Sequence, residues 1–183
     1  MARFGFGRSQ FGLLGWRRVG RPVDLVVALG IIGLLAIAGA VLQYRLGPAR
    51  ELSGSARAID GDSIRLNGEE LRLEGLDAPE YRQSCTAKSG ERVACGVLAR
   101  RALEDLLARG QVRCEIGKAD RYGRGLARCR SGDTDINAAL VRQGHAVAYG
   151  GYPAEEAEAK AAGRGLWALT FERPETWRRG QGR

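Results

Sequence analysis

The chain has 183 residues, 44% hydrophobic and 27% charged, which excludes a disordered or low-complexity polypeptide and suits one ordinary domain with an appendage. The formal charge of +8 invites a nucleic-acid reading, but residues 1–50 carry seven arginines against the single acid Asp24. The other 133 residues therefore hold only +2, and net charge excludes little about what the body binds.

Residues 1–24 form a basic segment. Leu25–Leu42, "LVVALGIIGLLAIAGAVL", is 18 residues without a charge, close to the length that crosses a bilayer's hydrocarbon core. Five arginines precede it and two follow before residue 51. The positive-inside rule then predicts a transmembrane helix over 25–44, with the N-terminus in the cytoplasm and the rest outside. The expected location is a bacterial inner membrane, single-pass, with an extracytoplasmic body. Two alternatives stand beside this: a signal peptide cleaved near "AIAGA" (Ala36–Ala40), giving a secreted protein, and a buried core helix.

Export predicts an oxidising compartment, and all four cysteines (Cys85, Cys95, Cys114, Cys129) lie beyond the apolar run. There is no CxxC pair and one histidine, His145, so zinc does not fit. Cys114 in "QVRCEI" and Cys129 in "GLARCR" sit in two strand-like runs around a polar turn and can face each other across a hairpin. Cys85 and Cys95 then close the loop after Glu80. The alternative is four free buried thiols.

Residues 45–53 read as a polar linker. "ARAIDGDSIRLNGEELRLEGL" follows as three strand segments, with turn signals at Asp60-Gly61 and Asn67-Gly68, the second a hairpin marker. Residues 91–110 read as a helix with an apolar stripe of Val93, Val97, Leu98, Leu103, Leu106 and Leu107. After the hairpin come helices over 135–144, with Asp135 as N-cap, and over 153–165, with Pro153 in the first turn. The strand connections are mostly too short for βαβ crossovers, which favours a small closed barrel.

Three polar clusters punctuate these elements: "DGDS" (Asp60–Ser63), "DAPE" (Asp77–Glu80) and "DRYGRG" (Asp120–Gly125). Oxygen-rich turns without His or Cys partners suit a hard cation such as Ca²⁺. Arginines beside such a site suit phosphate. A further carboxylate can position or deprotonate water. Each cluster alone is an ordinary turn.

Their order and spacing, together with "INAALVRQGHAVAY" and "EAEAKAAGRGLW", resemble the thermonuclease (staphylococcal nuclease-like) family over 54–169. The resemblance implies an α+β fold: a five-stranded Greek-key β-barrel of the oligonucleotide-binding type with three helices, followed by a basic tail over 170–183. It implies a calcium-dependent nuclease that cuts DNA or RNA and leaves 3′-phosphate ends, working as a monomer without an obligate protein partner. Asp62 and Asp77 would be the calcium carboxylates, with the carbonyl of Ala78 as third ligand. Glu80 would be general base, and Arg72 and Arg124 would hold the scissile phosphate. Arg121 and Tyr122 would sit beside the nucleotide's terminal phosphate, and Tyr149 would line its pocket. The alternative function is a non-catalytic nucleic-acid- or protein-binding module.

Five further residues read as structural. Asp60 and Asp120 form turns. His145 follows a helix stop, and Trp167 with Leu166 looks like a terminal core anchor. The end of the tail reads as solvated.

Overall fold

The computed structural model describes residues 22–45 and 50–181, which form two units divided near Pro48. The basic segment up to residue 21, residues 46–49 of the expected linker and the last two residues lie outside the described part.

In the first unit α1 runs over Pro22–Arg45. Its side chains are described from Leu25 to Ala40 and are all exposed, with apolar residues on every face. Among the described residues no helix is long and apolar enough to cross a membrane. The side chains of α1 are described only as far as Ala40, short of the apolar run's end at Leu42, so the expected span is neither completed nor contradicted.

The second unit starts earlier than the sequence suggests. Strand β1 (Arg50–Gly54) falls in the stretch read as linker, then β2 (Ala56–Ala58) follows after Ser55 alone. The next strands are β3 (Ser63–Leu66), β4 (Glu69–Leu73) and β5 (Leu76–Asp77). A small pair, β6 (Cys85–Thr86) and β7 (Arg92–Val93), precedes α2 (Cys95–Leu107). Then come β8 (Val112–Ala119), β9 (Gly125–Ser131), β10 (Thr134–Asp135), α3 (Ile136–Arg142), β11 (Val147–Ala148) and α4 (Pro153–Ala161). A 3-10 turn at Gly165–Ala168 leads to α5 (Pro174–Gly180).

The main sheet runs β1-β8-β9-β4-β3-β2, with β10 added on β9. Its two ends are consecutive in the chain, so the sheet must curl until they meet at Ser55. The result is a curled half-barrel. The five expected strands correspond to this sheet if β1 and β2 count as one bent strand and two-residue β10 is set aside. The β3–β4 hairpin pairs Leu66 with Glu69 around Asn67-Gly68, whose φ angles of 51° and 85° are those of the tight turn that dipeptide favours.

The core lies between the sheet's inner face, α2 and α3, with Ile64, Leu71, Leu73, Val112, Leu103 and Leu140 all buried. On α2 the buried stripe is Cys95, Ala99, Ala102, Leu103, Leu106 and Leu107; Leu98 is exposed and Val97 half-buried, which corrects the expected register there. Small alanines let the helix approach the sheet, so apolar size alone misplaced the stripe. A second small core joins Cys85, Cys95, Val147 and Leu166 to Trp167, Leu169 and Phe171.

Both expected disulfides form, Cys85–Cys95 and Cys114–Cys129. The second joins directly opposed residues of β8 and β9, with Cα atoms 4.1 Å apart. Among its described residues the body has four α-helices rather than three. The additional one, α5, lies in the segment expected to be a solvated tail.

Candidate active site

The site is built at one rim of the curled sheet. β3 begins directly after Asp62, because Asp60 folds the preceding turn: its Oδ1 accepts the Asp62 amide at 3.1 Å. β4 carries Arg72, opposite Ser63 in the register. β5, held by pairing Asp77 with Val147 of β11, ends on Asp77. Asp120 shapes the third cluster, accepting the amides of Tyr122 at 2.8 Å and Arg124 at 3.0 Å.

Asp62 and Asp77 are buried, at 4% and 1% exposure. Arg72 bridges them, with Nη2 2.8 Å from Asp62 Oδ2 and 3.0 Å from Asp77 Oδ1. Asp62 also accepts the Ala78 amide at 3.2 Å and the Ser63 hydroxyl at 3.2 Å. Burial nevertheless pushes the Asp62 carboxyl up, to about 7, with Asp60 and Asp77 adding to the rise and Arg72 and the Ala78 amide opposing it.

Arg124 projects from the start of the β9 hairpin. Its Nε and Nη2 lie 2.9 and 2.8 Å from Asp120 Oδ2, and Nη1 reaches the Ser63 hydroxyl at 3.5 Å. Hydrogen bonds from Tyr122 and Arg124 outweigh the desolvation that would raise the Asp120 carboxyl, and hold it below the usual range. The ring of Tyr122 lies under both Arg121 and Arg124, 4.8 and 5.6 Å from centroid to guanidinium carbon.

Of the nine residues singled out from the sequence, eight line a single cavity of about 900 Å³: Asp62, Arg72, Ala78, Glu80, Arg121, Tyr122, Arg124 and Tyr149. Asp77 does not reach the wall, because Arg72 and one unforeseen residue, Arg178 of α5, cover its carboxylate. Arg178 places Nη1 2.9 Å and Nη2 3.0 Å from the two Asp77 oxygens, and Nη1 lies 3.2 Å from Glu80 Oε1. Burial works against the charge on Arg178, but Asp77 and Glu80 outweigh it and raise its affinity for its proton.

A second residue, Gln83, also escaped the sequence reading. It is 1% exposed; its Oε1 accepts the Glu80 amide at 3.3 Å and its Nε2 donates to the Glu172 carbonyl at 2.7 Å. One buried amide thus ties the Glu80 loop to the segment that leads into α5. The helix itself had a signal, Pro174 at its start and Glu175 in the first turn of "RPETWRR". A lone buried Gln has none.

Among the described residues no three His, Cys, Asp or Glu side chains are grouped as a metal site. The calcium ligands that the family resemblance implies, Asp62, Asp77 and the Ala78 carbonyl, are all hard oxygens of the kind calcium takes, and Arg72 joins the two carboxylates. The oxygen-only chemistry of that donor set, with both carboxylates buried at 4% and 1% exposure, is what fits a hard cation there.

A family model described as staphylococcal nuclease homologue matches residues 70–169. Eight of the nine residues fall inside that span; Asp62 precedes it, and Arg178 follows it. The chain is 35% identical over 138 residues to the succinoglycan biosynthesis protein ExoI of Rhizobium meliloti (strain 1021), covering 72% of each chain. It is 32% identical over 114 residues to the probable staphylococcal-like nuclease CAN3 of Oryza sativa subsp. japonica, covering 58% of this chain but only 28% of that protein.

Proposed function

Because the chain belongs to the staphylococcal nuclease family, we propose that it is a calcium-dependent nuclease that hydrolyses phosphodiester bonds of DNA or RNA and leaves 3′-phosphate ends. The observation that carries this reading is the convergence of Arg72, Arg124, Asp62 and Glu80 on one open cavity.

Arg72, on β4, and Arg124, in the turn just before β9, line that cavity and bind the scissile phosphate. Negative charge grows on the phosphoryl oxygens as water attacks, so guanidinium groups fixed in advance stabilise the transition state more than the ground state. Asp120 holds Arg124 through two contacts, which removes the need to order that side chain during the reaction. Glu80 accepts the proton of the attacking water. Departure of the 5′-oxygen leaves phosphate on the 3′ side. Arg121 and Tyr122 engage the neighbouring phosphate, and Tyr149, exposed at 55%, offers a face to the base or sugar. Asp62, Asp77 and the Ala78 carbonyl would hold the calcium ion, which supplies Lewis-acid stabilisation and orders the water when bound.

A non-catalytic binding module remains the second reading. It draws on the Arg178 contact with Glu80, which engages the expected base. Plasmid and heat-denatured DNA, incubated with the protein in calcium or in chelator, separate the two. The nuclease reading expects cleavage only with calcium, lost in Glu80→Gln and Arg124→Ala. Binding without cleavage would favour the module.

The same proposal includes a membrane anchor: α1, apolar on every described face and preceded by five arginines, would hold the catalytic unit outside the cytoplasm as a monomer. The two disulfides suit that compartment. N-terminal sequencing of membrane and soluble fractions tests it; a mature start near residue 40 in the soluble fraction would replace the anchor with a cleaved signal.

A further inference from the structure

Arg178 has no part in the proposed nuclease chemistry, yet its placement is built rather than incidental. It lies 101 residues beyond Asp77 in sequence. The chain that delivers it is fixed at several points. Thr86 and Thr170 exchange backbone hydrogen bonds at 2.9 and 2.8 Å. Gln83 holds Glu172. Trp167 and Phe171 pack edge to face against the small core around Cys85–Cys95, and Pro174 at the start of α5 is buried.

Both Asp77 oxygens are taken. Oδ1 accepts from Arg72 and from Arg178, and Oδ2 accepts from Arg178. A hard cation needs direct contact with such an oxygen, at roughly 2.3–2.6 Å. A dication there and a guanidinium on the same carboxylate are like charges almost in contact. Asp77 is 1% exposed, so little water screens them. Arg72 bridges both aspartates from the middle of β4 and is fixed by the sheet. Among the described residues the Arg178 guanidinium pairs with Asp77 and Glu80 alone; its side chain is 30% exposed, and it sits near the end of a seven-residue helix. Of the two, Arg178 is free to leave.

We propose that Arg178 is an internal cation that competes with the divalent ion for Asp77, so that ion binding withdraws its guanidinium and frees Glu80 at the same time. The inference rests on the calcium-dependent reading of this site. The C-terminal helix then sets the ion affinity of the catalytic unit. Removing one two-pronged charged pair that ion binding must break should tighten calcium binding by about tenfold or more.

The test uses the full chain in detergent micelles, titrated with calcium chloride by calorimetry as wild type and as Arg178→Gln. The proposal expects the variant to bind calcium about tenfold more tightly. Equal or weaker binding, or no calcium binding by either protein, overturns it. A second measurement needs no variant: hydrogen exchange of wild-type residues 174–181 should speed up when calcium is added. Unchanged or slower exchange there overturns the proposal as well. DNA cleavage assayed on the same preparations keeps the two readings apart. Tighter calcium binding without any cleavage would remove the nuclease reading and leave the competition standing; calcium-dependent cleavage with unchanged affinity would do the reverse.

Discussion

Gly96 lies under the carbonyl of Glu80 so closely that a Cβ at residue 96 would sit 1.9 Å from that oxygen. The loop carrying the expected base is therefore seated directly on the first turn of α2, and only glycine permits the approach. Gly96→Ala should push the Glu80 loop outward, cost about 1–3 kcal/mol through overpacking, and lower cleavage far more than Ala at exposed Gly110 does, where a Cβ meets only ordinary contacts at 3.8 Å or more. Thermal melts and cleavage rates of the two variants check this; near-normal cleavage by Gly96→Ala would mean that the seat does not matter.

Arg72 and Arg124, the arginines proposed to hold the phosphate, should separate by their effect on stability. Arg72 is 20% exposed and neutralises two buried carboxylates, whereas Arg124, at 23%, pairs with the hairpin acid Asp120. Each alanine variant should lose roughly 10³-fold or more in cleavage rate. Arg72→Ala should also lose about 3 kcal/mol of stability, because Asp62 and Asp77 are left buried with less compensation. Urea unfolding of both variants gives the comparison.

The two disulfides close loops of 10 and 15 residues, for which removal costs about 3 kcal/mol each on the loop-entropy account. Their local consequences should differ. Losing Cys85–Cys95 loosens the small core under Trp167 and Phe171, so limited proteolysis should cut within 169–181 first. Losing Cys114–Cys129 should destabilise the sheet without early cleavage of that segment.

His145 follows α3, and burial lowers its pKa, with Asp105 opposing the shift. Folding thus favours the neutral ring. Its contribution to stability is fully present above the ordinary value of 6.5 and is lost as pH falls through the lower folded value. Replacing His145 by Gln should flatten the decline in stability between about pH 7 and pH 5. Denaturant midpoints across that range would show it, and an unchanged slope would remove His145 as the cause.

Local signals carried most of the fold. Asn67-Gly68 gave a hairpin because its turn needs positive φ at both positions. Asp60 and Asp120 bend their own turns, so the clusters that hold Asp62 and Arg124 could be placed from the residues themselves. The cavity's other members follow from strand alternation and the family resemblance. What stayed hidden depends on contacts far apart in sequence. β1 has one partly buried apolar residue, Leu52, and becomes a strand only because β8 offers it a partner. Gln83 looks like any loop glutamine until the Glu172 carbonyl arrives 89 residues later. Arg178 read as part of a basic end because charge alone does not say that a helix will turn it inward.

The chemistry of the product ends tests the central claim most directly. A short labelled oligonucleotide, DNA or RNA, is incubated with the protein and calcium, and the fragments are resolved by mass spectrometry. The account predicts fragments that carry a 3′-phosphate, formed only with calcium and absent with Glu80→Gln. Intact oligonucleotide, or fragments ending in a 3′-hydroxyl, would contradict it.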